Sequence, residues 1–211
     1  MATPIRRLVS GFKSFRSEYY EQRPERIRSL ATEGQHSRFL VIACSDSRVD
    51  PALLTNAEPG EMFVVRNVAN LVPPCEPDGR YHGTSAALQF AVEDLGVSDI
   101  VILGHSGCGG IQAMVDNQAG LSQPREFITP WVSLAAQHCA ATIGDRSEEA
   151  PDMPACEMAS IKGSLANLMT FPFVCERVAA KTLTTHGWWF ELKKGQLWGT
   201  DAEKDQFRRL V

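Results

Sequence analysis

Phe39-Leu40-Val41-Ile42-Ala43-Cys44-Ser45-Asp46-Ser47-Arg48 changes character in mid-course. Its first part is an unbroken apolar run, the mark of a short strand buried on both faces. Its second part is polar and carries a thiol, a carboxylate and a guanidinium. The same pattern returns at residues 100–110, where Ile100-Val101-Ile102-Leu103 runs into Gly104-His105-Ser106-Gly107-Cys108-Gly109-Gly110. Between them, residues 61–66 (EMFVVR) follow the turn Glu58-Pro59-Gly60 and read as a third strand. Residues 84–95 carry an apolar helical stripe of Ala87, Leu88, Ala91, Val92 and Leu95, and residues 109–117 open another helix. Short buried strands alternating with helices predict an α/β fold. Its central, mostly parallel β-sheet is flanked by helices.

Further along, residues 130–141, a segment marked by Met158, Ile161, Leu165 and Leu168, and residues 173–183 read as helices. Residues 145–157 hold five acids and two prolines and read as an exposed loop. Residues 186–192 and 196–198 flank Lys193-Lys194-Gly195, which predicts a C-terminal antiparallel hairpin strand. At the other end Phe12, Phe15 and Tyr19 fall at helical spacing, so residues 1–34 read as an amphipathic N-terminal helical arm of a single domain spanning 1–211, broken near Pro24.

The chain has 211 residues, 44% of them hydrophobic, enough to build a core without disulfides or metal. Its formal net charge of −4 argues against a nucleic-acid binder. The longest apolar run is far short of the ~20 residues that span a bilayer. Seven basic residues precede residue 29, but Glu18, Glu21 and Glu25 interrupt them, unlike a transit peptide. The expected compartment is the cytoplasm, where the six cysteines stay thiols.

In a parallel sheet, sites assemble at the C-terminal ends of strands. Cys44, His105 and Cys108 all stand there and form a Cys₂His set, the donor chemistry of a zinc site with one position open. Cys44, Asp46 and Arg48 alternate along an extended segment and so share a face. Arg48 keeps Asp46 ionised. Asp46 then either accepts a hydrogen bond beside the metal or ligates it as a fourth donor. A phosphate-loop reading of the glycine cluster fails, because Gly110 and Gln112 stand where the Lys and Gly of the two common motifs belong. A cysteine nucleophile activated by His105 leaves the second thiol and the Asp–Arg pair idle. Cys139, Cys175, Trp188, Trp189 and Phe190 read as packing residues. Cys75, Cys156, His36, His82, His138 and His186 have no ligand spacing.

Cys44-Ser45-Asp46-Ser47-Arg48, then Arg66-Asn67-Val68-Ala69-Asn70, then the 104–110 cluster and the ending His186-Gly187-Trp188-Trp189-Phe190 together resemble the β-class carbonic anhydrases over residues 8–200. The resemblance implies a zinc lyase that reversibly hydrates carbon dioxide to bicarbonate and a proton by zinc-hydroxide attack, with one Zn²⁺ per chain on Cys44, His105 and Cys108. It makes Asp46 and Arg48 the catalytic dyad. It gives Gln35 and the backbone N–H of Gly109 a substrate-binding role and makes Phe63, Val68 and Phe90 the apolar pocket. Phe90 replaces the Tyr of many relatives. Val41 stands where the bicarbonate-inhibited branch has Trp, which points to the plant-like, constitutively open branch. Residues 145–157 fit the family poorly. The family also implies a homo-oligomer with the dimer as minimal unit and a tetramer or larger assembly as its extension, in which Gln35 serves the opposite chain. A non-catalytic zinc module and hydrolysis of CS₂ or COS are the alternative readings.

Overall fold

A computed structural model of the chain describes residues 4–143, 151–201 and 206–211. The chain divides into two compact units, Met1–His36 and Ser37–Val211. In the first, α1 (Pro4–Arg16) runs into a π-helical turn (Ser17–Gln22), and α2 (Pro24–Glu33) follows. The expected break at Pro24 is there, because proline suits the first helical position and disrupts a helix interior.

The second unit is built on a six-stranded sheet of order β2-β1-β3-β4-β5-β6. In chain order its elements are β1 (Phe39–Cys44), α3 (Pro51–Thr55), β2 (Met62–Asn67), α4 (Gly83–Gln89), β3 (Asp99–His105), α5 (Gly109–Gln118), α6 (Ile128–Val132), α7 (Ala136–Ile143), α8 (Met153–Leu168), α9 (Pro172–Ala179), β4 (Thr184–Glu191), β5 (Gln196–Asp201) and β6 (Gln206–Arg209). Strands β2, β1, β3 and β4 are parallel, and β5 and β6 add antiparallel at the end. Alternation divides the strand residues between the faces. Leu40, Ile42, Ile100 and Ile102 pack with Leu88, Ile161, Leu168 and Val174 in one cluster, while Val41, Ala43, Val101 and Leu103 form another with Met62 and Trp188. Helix α8 packs closely on this sheet: a Cβ on Gly104 or Gly187 would come within 2.6 or 2.8 Å of Ile161 side-chain carbons.

Several elements differ from the sequence reading. The 84–95 helix is regular only to Gln89 and ends in a π-helical turn, Phe90–Asp94. The 130–141 segment is α6, a 3₁₀ turn at Ser133–Ala135 and α7. The 173–183 helix stops at Ala179, because Lys181 takes a left-handed φ of 57° and turns the chain into β4. Strand β6 and the short α3 carry no clear periodicity and escaped the reading. The largest correction concerns residues 145–157. Residues 145–150 lie outside the described ones, but α8 begins at Met153. Pro154 occupies its first turn, and the carboxylate of Asp152 caps it by accepting from the Ala155 N–H at 3.2 Å. Two features that read as loop signals are helix-start signals, and Glu157 is buried.

Candidate metal centre and catalytic dyad

Strand β1 delivers Cys44 to the C-terminal edge of the sheet, and the pairing of Ser45 N–H with the Asn67 carbonyl (2.8 Å) continues the ladder into the loop. The loop is then fastened by Arg66. Its Nε and Nη2 donate to the Cys44 carbonyl at 3.0 Å, Nη2 donates to the Asp46 carbonyl at 2.7 Å, and Nη1 meets Asp50 Oδ2 at 3.1 Å. Asp46 Oδ1 accepts from the backbone N–H and Nε of Arg48, both at 2.9 Å, and Oδ2 accepts from Nη2 at 2.6 Å. This bidentate fork is the strong form of an Asp–Arg pair. The same Nη2 donates to the Gly107 carbonyl at 3.0 Å, so Arg48 ties the loop after β1 to the loop after β3.

The second loop is held as firmly. Ser106 N–H donates to the Phe190 carbonyl at 2.9 Å, and the Ser106 hydroxyl accepts from Leu192 N–H at 2.9 Å. His105 Nδ1 lies 3.0 Å from the Ser106 carbonyl, which fixes the ring and leaves the Nε2 lone pair to ligate a metal. Cys108 then precedes α5 in an extended conformation and its N–H donates to Glu157 Oε1 at 3.0 Å. At Gly110 a Cβ would come within 2.7 Å of Val68 Cγ1 and 2.8 Å of Ala69 Cβ, so only glycine lets residues 68–69 pack against the start of α5.

Folding thereby gathers Cys44, His105 and Cys108, all buried, with their ligating atoms within 4.8 Å of one another. Among the described residues they are the one such group of metal-binding type. The two sulfurs stand 3.9 Å apart as free thiols. His105 Nε2 is buried and has no hydrogen-bond partner. Buried polar atoms are normally satisfied, so an orphaned imidazole nitrogen facing two thiols is what a missing cation leaves behind. Two soft sulfurs and one nitrogen are the donor set of zinc. The residues fit that metal.

The electrostatics agree. A hydrogen bond from Cys108 holds the Cys44 thiol well below its ordinary range against the opposing effect of burial, and the same bond pushes Cys108 up. Burial alone would lower His105, but its contact with the Cys44 thiolate raises it. The hydrogen bonds from the Arg48 side chain, more than any other influence, keep Asp46 far below the usual carboxylate range. Asp46 Oδ2 sits 3.9 Å from His105 Nε2, at the edge of the trio but outside it.

The other expected residues fall into three places. Gly109 is exposed at the start of α5, one residue from the Gly110–Val68 contact. Phe63 and Phe90 face each other with ring centroids 5.8 Å apart, and Phe90 and Val68 are 43% and 38% exposed. Gln35 is exposed and follows α2 in the first unit. Three residues without an assigned role belong to the site's framework: Arg66, Glu157 and Trp189, whose indole Nε1 donates to Glu157 Oε2 at 3.0 Å. Arg66 opens the Arg66-Asn67-Val68-Ala69-Asn70 motif. Glu157 gave no usable signal among its acidic neighbours.

Comparison with known proteins points one way. A family model described as carbonic anhydrase matches residues 39–197. Beta carbonic anhydrase 3 of Arabidopsis thaliana is 36% identical over 208 residues, covering 93% of this chain and 78% of that protein. A carbonic anhydrase of Pseudomonas aeruginosa is 37% identical over 208 residues, covering 98% and 92%. Among solved structures, the beta-carbonic anhydrase CcaA matches with a TM-score of 0.83 and 30% identity over 98% of this chain and 92% of that one. Tetrameric beta-carbonic anhydrases from Sordaria macrospora match with a TM-score of 0.76 and 26% identity, covering 98% and 96%.

Proposed function

The chain belongs to the β-class carbonic anhydrase family, and on that premise we propose that it is a zinc-dependent lyase interconverting carbon dioxide with bicarbonate and a proton. The observation that carries this reading is the Asp46–Arg48 fork beside an orphaned His105 Nε2 and two buried thiols. Cys44, His105 and Cys108 would hold the metal. Zinc in such a site supplies a Lewis acid that makes hydroxide available near neutral pH.

The chain's own groups then select and orient. An ionised Asp46 can only accept a hydrogen bond. It therefore favours a reactant that carries a proton to donate and disfavours anions that lack one. Arg48 keeps Asp46 charged and turned toward the guanidinium, away from metal ligation. The N–H of Gly109 offers a donor to a substrate oxygen, and by the family resemblance the side-chain amide of Gln35 would serve the opposite chain of a dimer. Phe63, Val68 and Phe90 supply the apolar surface that a neutral, linear CO₂ prefers to water. Two thiolates among the ligands leave less positive charge than three imidazoles, so activity should rise toward alkaline pH. With Val41 at the position of the inhibitory Trp, the site belongs to the branch that is open without activation.

The arm supports a homodimer as minimal unit. Ile5, Leu8, Val9 and Phe12 are 54–68% exposed on α1, an apolar stripe that a second copy of the chain would cover. All six cysteines are free thiols, which suits a reducing compartment such as the cytoplasm. Among the described residues no helix is long and apolar enough to cross a membrane.

Stopped-flow CO₂ hydration with a pH indicator tests the function. Zinc-replete protein should catalyse it, chelated protein should not, and added zinc should restore it. A zinc-loaded chain without activity would make it a non-catalytic zinc module instead.

A further inference from the structure

Glu157 is 2% exposed, and among the described residues the one charge that acts on it favourably is that of His105, in the trio itself. A carboxylate in such a place needs donors for both oxygens. It has them from the loop before α5, where the Gly107 backbone also bonds to it, and from β4. Oε1 accepts from the N–H of Cys108, and Oε2 accepts from the indole of Trp189 on β4, both at 3.0 Å. Trp189 is itself 4% exposed and packed edge-on against Trp198. The carboxylate therefore bridges α8, β4 and the backbone of a metal-ligand residue. Its reach depends on the close seat of α8 on the sheet at Gly104 and Gly187.

The bond to Cys108 N–H acts where it matters. Cys108 follows Gly107, whose φ is +67°, and precedes α5, so its backbone is at a change of direction and no side chain of its own segment caps it. Fixing that N–H fixes the direction of the Cys108 Cα–Cβ bond and so where its sulfur lies relative to Cys44 and His105. We propose that Glu157 is a positioning residue of the metal loop, braced by Trp189, that sets the geometry of the Cys44–His105–Cys108 trio. This rests on the zinc reading above.

The donor arithmetic makes the idea testable. Glu157→Gln keeps the shape but supplies one acceptor and one donor, so it must set an N–H against either Cys108 N–H or the Trp189 indole N–H. Trp189→Phe removes the indole donor and the conflict with it. Zinc affinity measured by chelator competition should fall about 10- to 100-fold in Glu157→Gln, the usual size of losing such outer support. The Co²⁺-substituted protein should show a changed visible spectrum. In Glu157→Gln/Trp189→Phe most of the affinity should return, relative to Trp189→Phe alone, because the amide oxygen can then face Cys108. The thermal midpoints of the four metal-free proteins separate loss of fold from loss of geometry. A Glu157→Gln affinity within twofold of the parent, or no recovery in the double variant, would overturn the proposal. Wild-type protein that fails to bind zinc at all would instead refute the zinc reading.

Discussion

Strand β1 buries five of its six residues, and β3 buries six of seven. Helices α1 and α2 and the turn between them bury none. Both regions are rich in apolar side chains, yet one closes a core on itself and the other presents its stripe outward. The candidate site residues sit where the closed core ends. There the loops that carry Cys44 and Cys108 are fixed by side chains bonded to their main chain: Arg66 on the Cys44 carbonyl, Arg48 on the Gly107 carbonyl, Glu157 on the Cys108 N–H. A metal site needs that rigidity, because ligands misplaced by an ångström lose affinity. An arm needs a surface instead. On the proposed function the contrast would separate two jobs in one chain, chemistry in residues 37–211 and assembly in the arm.

The sharpest way to break this division is at the ligands. Cys44→Ser and Cys108→Ser should each lose most of their zinc and all CO₂ hydration above background, with a lower thermal midpoint because the metal joins two strand ends. Metal analysis and differential scanning calorimetry check this, and full zinc retention in both would break the assignment. A smaller, different effect is expected in the arm. Leu8→Glu/Phe12→Glu removes two apolar side chains whose burial is worth about 1.5–3 kcal/mol each. Self-association measured by sedimentation should weaken at least tenfold, while zinc content stays at one per chain. An unchanged sedimentation profile would show that the stripe is not the assembly surface.

The smallest effect should come from the opposite end of the sheet. His186 Nε2 lies 2.9 Å from Asp99 Oδ1, and Ser98 donates to Asp99 Oδ2 at 2.6 Å. Burial alone would raise Asp99, but these hydrogen bonds and the charges of His186 and Arg38 outweigh it and hold it below its ordinary value. A depressed carboxylate stabilises the fold above its unfolded pKa, about 3.9, and that stabilisation fades as pH falls through the folded value. Asp99→Asn should therefore lower the thermal midpoint near neutral pH, and the gap to the parent should shrink below pH ~4. A gap that stays constant or widens in acid would contradict the sign.

Much of this was readable before the fold, for physical reasons. Phe39–Cys44 and residues 100–103 are apolar without interruption, and a run that short has few other ways to be buried. Cys44, Asp46, Arg48, His105 and Cys108 were readable because metal chemistry restricts both residue type and spacing. Glu157 was not. Its neighbours Pro151, Asp152 and Pro154 break a helix in its middle but begin one at its end, and only tertiary context tells the two apart. Strand β6, Gln206–Arg209, is four residues long with only Phe207 partly buried, too short to show an alternation. The end of α9 depended on the backbone of Lys181, a residue with no turn preference to betray it.

The central claim is that Arg48 makes Asp46 a charged acceptor beside the metal and keeps it from becoming a ligand. Zinc content and CO₂ hydration should be measured on the same preparation of Arg48→Ala. Arg48→Ala should hold one zinc per chain and lose hydration by ~10²-fold or more, from lost positioning and electrostatics. Near-full activity in that zinc-loaded variant would contradict it.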